Sequence, residues 1–319
     1  AEALVEMNLK RDLIIDACVF GMGRGAGNLN LELFADYMNE NYDKHYLIEP
    51  MLEIMDEYLN DIYKNKFWGY SLPLYLSAST GCHPNYAIYL AEKDSLTVKA
   101  FNELLHSIPD EDKPKFSKDN AEKYYREFQE SYVDDKSTRG ELSSNFDSKN
   151  IVILAPGRSI NDCKADILAE ISKDDTLSIA LNFCAEEYKP DYIFSSNMRR
   201  FAKIQNRTKA KCIITSNMKE ATNKDYVVNY ASYSMKNPDI IDNSGLMLIK
   251  LLISCGVKAV KIAGMDGYST YYGNNYMNSN LEYDFSKQAK KRNELISCEF
   301  KTLSTLISIE FITPTQYEF

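Results

Sequence analysis

The sequence predicts an α/β protein, a helical segment followed by an open, mostly parallel sheet with helices packed on it. Three observations carry that expectation. From Ile151 onward, short apolar runs alternate with helical stretches, the pattern of successive βαβ units. From Tyr46 to Val133 the apolar residues keep helical spacing and no convincing strand occurs. Between the two lies Asp134 to Lys149, polar, Ser/Asp-rich and nearly free of apolar residues, which reads as an inter-domain linker. The expected organisation is therefore 1–45, a terminal strand and helix; 46–135, a helical domain; 136–149, the linker; and 150–319, an α/β domain.

Taken in order, Leu13-Ile14-Ile15-Asp16-Ala17-Cys18-Val19-Phe20 is an apolar run suited to a buried parallel strand. Helices are predicted over Leu31 to Tyr42, Ile48 to Lys64 and Ser117 to Val133. The last carries Tyr124, Tyr125, Phe128 and Tyr132 on one side. Trp68, the single tryptophan, is expected to anchor packing in the helical domain. Strands are predicted at Ile151–Pro156, Leu177–Phe183, Tyr192–Ser195, Lys211–Thr215, Tyr226–Asn229, Ala259–Ala263 and Ile309–Thr313. The helices between them are Asp162–Ile171, Ser244–Cys255 and Phe285–Leu306.

Composition bounds the function. The chain of 319 residues is 45% hydrophobic and 26% charged, ordinary for a globular protein. Lys+Arg is 37 and Asp+Glu 46, so the net charge is −9, which disfavours nucleic acid or an anionic membrane as partner. No apolar run reaches the length of a membrane span, and Ala1 to Lys10 lacks the form of a signal peptide. The 7 cysteines include no C-x-x-C pair. They read as reduced, mostly core thiols of a cytoplasmic protein, without a zinc site. The 3 histidines are His45, His83 and His106, so none in the α/β domain can serve as base or ligand.

Gly21-Met22-Gly23-Arg24-Gly25-Ala26-Gly27-Asn28 sits between a strand and a helix. Glycine there permits positive φ and close backbone approach. A phosphate loop and a tight strand-to-helix turn are both compatible with this spacing; a P-loop is not, because no Gly-Lys-Ser/Thr follows. The run Asp16 to Glu32 resembles the last barrel strand and loop of the DRE-TIM metallolyases, whose signature is a Gly-rich loop ending in Gly-Asn-x-x-x-Glu. That family includes 3-hydroxy-3-methylglutaryl-CoA lyase, 4-hydroxy-2-oxovalerate aldolase and 2-isopropylmalate synthase. The resemblance extends to Gly69–Ala78 and Cys82–Ala87, which look like members fused to a further C-terminal domain.

The resemblance implies a (β/α)₈ barrel ending near residue 45 and a helical domain after it. It also implies metal-assisted aldolase or lyase chemistry on a 2-oxo acid, with Mg²⁺ or Mn²⁺ as cofactor and Asn28 as one metal ligand. The family also uses an aspartate from the first barrel strand and a His-x-His pair. This chain has no His-x-His, and a barrel needs roughly 200 residues or more. The expectation is thus the C-terminal part of a larger lyase, inactive as one by itself. His83 and Tyr75 could belong to a site, or could be a helix cap and a packed aromatic.

In the α/β domain, Ile151 to Leu154 leads into Ala155-Pro156-Gly157-Arg158-Ser159-Ile160, a turn at the carboxyl end of a strand, where open α/β sheets bind ligands. Gly157 lets the backbone bend, and Ser159 can cap a helix or bind an oxygen. Asp242-Asn243-Ser244-Gly245 opens an apolar helix whose free N–H groups suit a phosphate. Asn182, Ser195-Ser196-Asn197 and Ala263-Gly264-Met265-Asp266-Gly267 also end strands with polar groups. No G-x-G-x-x-G occurs, so NAD is not supported.

This set resembles the bacterial sialyltransferase-like fold, which binds a cytidine nucleotide sugar, and the archaeal 6-hydroxymethylpterin pyrophosphokinase-like proteins. The resemblance implies a Rossmann-like domain in which Gly157, Ser159, Asn182, Asn243, Ser244 and Gly245 contact a nucleotide. With no histidine there, Asp266 is the candidate base. Tyr268 to Tyr276 could form a lid over a base or sugar, or a solvent loop. Met198-Arg199-Arg200 could meet a phosphate or be a surface turn, and Lys287, Lys290, Lys291 and Arg292 form a basic helix face.

Three functions are therefore open: the lyase part, a nucleotide-dependent transferase of surface polysaccharide synthesis, and a non-enzymatic docking module. The expected partner is a small-molecule substrate. Orphaned barrel elements would expose apolar surface, which makes a homodimer plausible.

Overall fold

Strands form where the apolar runs of the second half of the chain find parallel neighbours. A computed structural model describes every residue except Asn8, Arg24, Lys66 and Tyr272. Two of these fall in segments singled out above, Arg24 in the glycine loop and Tyr272 in the tyrosine-rich stretch, and lie outside the described residues. The chain divides into two compact units. One is Ala1–Glu92 with Leu105–Ala121; the other is Lys93–Leu104 with Glu122–Phe319.

The first unit is helical. It contains α1 (Glu2–Glu6), a 3₁₀ turn (Val19–Gly21) and α2 (Leu31–Tyr42). Then come α3 (Glu49–Ile54), a π-helical turn (Met55–Leu59), α4 (Asn60–Asn65), α5 (Leu72–Thr80) and α6 (Pro84–Ala91). Helix α5 stops at Gly81, whose φ of 72° ends the helix in the left-handed region. Helix α6 starts at Pro84 and is capped by His83, whose Nδ1 accepts from the Asn85 N–H at 3.2 Å. His83 is thus a cap, and Tyr75 is an exposed ring tilted against Tyr70. Helices α7 (Val98–Ser107) and α8 (Lys118–Gln129) contain points where the chain passes between the units.

The expected strand Leu13–Phe20 does not form. Among the described residues no strand pairs with 13–17; the only contact of strand type is a single bridge, Cys18 to Asn30. Ile14 is 89% exposed. A parallel strand is completed by its neighbours' backbones, and none is offered here. No (β/α)₈ barrel element is seen among the described residues.

The second unit is the α/β fold. It runs α9 (Lys136–Phe146), β1 (Asn150–Leu154), α10 (Ser159–Asp162), α11 (Lys164–Ile171), β2 (Thr176–Leu181), β3 (Tyr192–Ser195), α12 (Met198–Phe201), β4 (Lys211–Thr215) and β5 (Tyr226–Val228). It continues α13 (Tyr230–Tyr233), α14 (Ser244–Ser254), β6 (Ala259–Ala263), a 3₁₀ turn (Ser279–Leu281), α15 (Ala289–Leu303) and β7 (Ser308–Phe311). The sheet has 7 strands in the order β5-β4-β3-β2-β1-β6-β7. Every neighbouring pair is parallel, a Rossmann-like α/β architecture.

Because side chains alternate along a strand, each central strand feeds two cores. Ile151 and Ile153 of β1 join α9, α14 and α15 on one face. Val152 and Leu154 join α10, α11 and α12 on the other.

The segment read as linker is helix α9. Its polar residues hide Leu142 and Phe146, both buried in the first of these cores. Phe146 meets Tyr192 edge-on at 5.5 Å. Ser143 Oγ donates to the Cys255 carbonyl at 2.6 Å, and Asp135 accepts from the Asn229 N–H at 2.9 Å. The predicted helix Phe285–Leu306 begins later, at Ala289. No helix among the described residues is long and apolar enough to cross a membrane.

Candidate functional site

The strand order reverses between β1 and β6. The chain steps outward from β1 to β5, then returns to the far side of β1 to make β6. The helices after β1 pack on one face and the helix after β6 on the other. Their departing loops mark the switch point, the place at the carboxyl edge where open α/β sheets take ligands.

Glycine lets those two loops meet. Gly157 N–H donates to the Gly264 carbonyl at 2.9 Å, extending the β1–β6 pairing past the strands. A Cβ on Gly157 would stand 2.7 Å from the Asp266 carboxylate. Gly264 adopts φ 76°, a turn that aims Asp266 back at β1. One oxygen of Asp266 accepts the Ser159 N–H at 2.8 Å, and the other accepts the Ser159 hydroxyl. The carboxylate thus closes the first turn of α10. Burial pushes the Asp266 carboxyl above its ordinary value, while the Ser159 bonds and the Arg158 N–H pull against that.

A second polar cluster joins β2, β3 and α14. Asn182 follows β2 in the left-handed region, φ 56°. Its Nδ2 donates to Ser244 Oγ at 2.6 Å, and its Oδ1 accepts from Ser195 Oγ at 2.5 Å. Ser196 Oγ bonds Ser244 Oγ at 2.7 Å. Asn217, past β4, donates to the Ser196 carbonyl at 3.2 Å. Asn243 caps α14 by accepting the Leu246 N–H at 3.0 Å. Gly245 leaves room for Met265, whose sulfur would lie 2.7 Å from a Cβ there. Gly245 therefore abuts the loop that carries Asp266 and links the two clusters.

Just before α14 stands a group with little signal in the residue pattern. Asp242 is half-buried and accepts the hydroxyls of Tyr125 and Tyr230. Ser95 and Gln129 complete the bonding of Tyr125, at 2.5 and 3.1 Å. Burial pushes the Asp242 carboxyl up and both phenols well above their ordinary range. Tyr125 was legible only as one apolar position of an amphipathic helix.

The tyrosine-rich segment after β6 crosses the carboxyl edge. Met277 N–H donates to the Pro156 carbonyl at 2.9 Å, Asn161 Nδ2 donates to the Met277 carbonyl at 3.3 Å, and Arg158 bonds Asn274. So Gly157, Ser159 and Asp266 come together, Asn182, Ser244, Asn243 and Gly245 come together, and Gly245 joins the two sets.

Asn28 belongs to the first unit. Its N–H donates to the Gly21 carbonyl at 2.9 Å, and its Nδ2 donates to the Met22 carbonyl at 2.9 Å. Glu32, buried, accepts the Phe20 N–H at 2.9 Å and Asn30 Nδ2 at 3.1 Å. Phe20 stands at φ 58°, a costly conformation for an aromatic residue, which these bonds hold in place. Trp68 covers the loop, donating to the Phe20 carbonyl at 2.8 Å. The residues here do not fit a resident Mg²⁺ or Mn²⁺. Asn28 brings one amide oxygen where such an ion takes about six ligands. No group of three or more His, Cys, Asp or Glu side chains among the described residues could hold one. Compared with family models, curated proteins and solved structures, the chain matches none of them.

Proposed function

We propose that the α/β unit binds a nucleotide or nucleotide sugar at the carboxyl edge of its sheet, as the ligand-holding domain of a transferase. One observation carries this: hydroxyl and amide groups from the ends of β1, β2 and β3 and from the start of α14 converge beside a half-buried carboxylate at the β1/β6 switch point. Neutral donors of this kind suit ribose hydroxyls and phosphate oxygens together. Asp266, its carboxyl raised by burial, is the group able to accept a proton from a sugar or acceptor hydroxyl.

The test is calorimetric titration of the chain with CMP, UMP and their nucleotide sugars, followed by thermal shift. A bound ligand at about 100 times its Kd adds roughly 2.7 kcal/mol to stability. Ser159→Trp, which fills the proposed site, is expected to abolish that binding. Absence of heat with every nucleotide in the wild type would remove the proposed site.

For the first unit we infer the end of an aldolase or lyase of the metallolyase kind. What supports this is the loop: Asn28 and Glu32, the two residues the resemblance singles out, are the ones that shape it. In this chain they shape backbone and bind no metal alone. Mn²⁺ with pyruvate is therefore expected to leave the melting temperature unchanged, and a Mn²⁺-dependent rise would refute that.

A further inference from the structure

Arg200 sits on α12, the short helix that follows β3 at the same carboxyl edge, with its N–H on Asn197 Oδ1 at 3.0 Å. Its side chain is 7% exposed. The guanidinium lies against two rings, 4.6 Å from the centre of Tyr276 and 4.4 Å from that of Tyr283, whose planes meet edge-on at 78°. Its Nη2 donates to the Leu281 carbonyl at 2.8 Å. Among the described residues no carboxylate forms an ion pair with it. Asp94, the acid that feels its charge, is paired with neighbouring Arg199. Two rings set at a steep angle cover one side of the guanidinium, and its five N–H donors lie in its own plane. A buried cation held by two tyrosine side chains and one carbonyl lacks the planar anion that its fork matches.

The covering residues all come from one segment. Tyr276, Leu281 and Tyr283 lie within 273–285, whose only regular element is the 3₁₀ turn at Ser279–Leu281. Arg292 of α15 repeats the arrangement on flanking residues, with its guanidinium 5.4 Å from the Tyr268 ring and 4.3 Å from Phe285. Its Nε is buried without a hydrogen-bond partner. Two arginines thus hold aromatic residues of a stretch that also lies on Pro156 and Arg158, beside Ser159 and Asp266.

We propose that Arg200 is the phosphate-binding residue of the carboxyl-edge site, and that a phosphate group replaces Tyr276 and Tyr283 around its guanidinium as 273–285 lifts. This rests on the nucleotide-site reading above and adds to it the ligand's anionic part and the residue that takes it.

The test compares CMP, UMP, inorganic pyrophosphate and the uncharged nucleosides cytidine and uridine, by calorimetry on the full chain. Loss of a charge-assisted bidentate contact lowers affinity by roughly 10- to 100-fold. Arg200→Gln is expected to weaken the nucleotides and pyrophosphate by that factor and to leave nucleoside affinity within about twofold. Arg200→Lys, a point charge without the fork, is expected to fall between. Tyr283→Ser, which removes a ring the phosphate must displace, is expected to keep or raise phosphate affinity, and it supplies the test if Arg200→Gln does not fold.

Equal phosphate binding in wild type and Arg200→Gln overturns the proposal and leaves the site reading standing. Equal weakening of nucleoside and nucleotide, with a matching fall in melting temperature, also overturns it, because Arg200 would then only fasten the loop. Failure of every nucleotide and nucleoside to bind the wild type removes the site reading, and this proposal with it.

Discussion

Replacing Phe146 by alanine tests whether α9 is part of the α/β core. Phe146 is 3% exposed and packs edge-on against Tyr192 of β3 at 5.5 Å with an interplanar angle of 79°. Truncating a buried phenylalanine costs about 3–5 kcal/mol, cavity included. Alanine's better helix propensity returns roughly 0.5 kcal/mol. The net expectation is a loss of about 3–4 kcal/mol. Urea unfolding followed by far-ultraviolet circular dichroism reads this directly. With a slope of about 2–3 kcal/mol per M, the midpoint falls by roughly 1–2 M. Ser144→Ala, on the exposed side of the same helix, is the control and is expected to stay within about 0.5 kcal/mol. A midpoint shift under about 0.3 M for Phe146→Ala would refute the reasoning. The segment would then behave as the flexible connector its composition suggests.

Two further outcomes are expected. Gly157→Ala puts a methyl group 2.7 Å from the Asp266 carboxylate and forces the β1 and β6 loops apart. It is expected to cost about 1–3 kcal/mol and to lower the melting temperature by several degrees; an unchanged melting curve would mean that the loops relax freely. The second concerns acid. Burial raises the Asp266 carboxyl above 3.8, so the folded state takes up its proton at higher pH than the unfolded chain does. That contribution to stability is fully present below 3.8 and is lost as pH rises through the raised folded value. Asp266→Asn, uncharged throughout, removes this loss. Relative to wild type, its stability is expected to rise with pH over a window that starts near 3.8, and parallel stability curves would contradict the half-buried, bonded carboxylate.

The parts legible in the sequence are those whose signal is local. Central strands of a parallel sheet are apolar on both faces, so β3, β4 and β6 run over the residues their apolar runs mark. Ser159, Asn182, Ser244 and Asp266 were legible for a related reason: polar residues directly after such runs stand at the carboxyl edge. What was missed depends on partners distant in the chain. Leu13–Phe20 has a strand's composition, but no neighbour supplies a ladder. Helix α9 has a linker's composition, yet Leu142 and Phe146, four apart, fall on one face and find a core. The two-ring cover of Arg200 was invisible because nothing in Met198-Arg199-Arg200 says which aromatic residues will reach it.

The walls of the proposed site differ in what moving them would cost. Helix α14 is buried from Ser244 to Ile249 and again at Leu251 and Leu252, so displacing its first turn would expose core on one whole face of the sheet. Ser159 and Asp266 are held by backbone pairing that continues β1 and β6. The stretch 273–285 is held by less core: a short turn, partly buried Met277 and Leu281, Glu282 bonded to Asn275 and Tyr276, a few hydrogen bonds to the β1 loop, and rings resting on a guanidinium. Each ring–cation contact is worth about 0.5–2 kcal/mol, within reach of a single bound phosphate. Adjustment to a ligand therefore falls on this stretch, while the polar groups beneath keep their spacing. In the proposed site, a ligand entering under this stretch would meet Ser159, Asp266 and Ser244 already in position, and Arg200 would be the group to change partners.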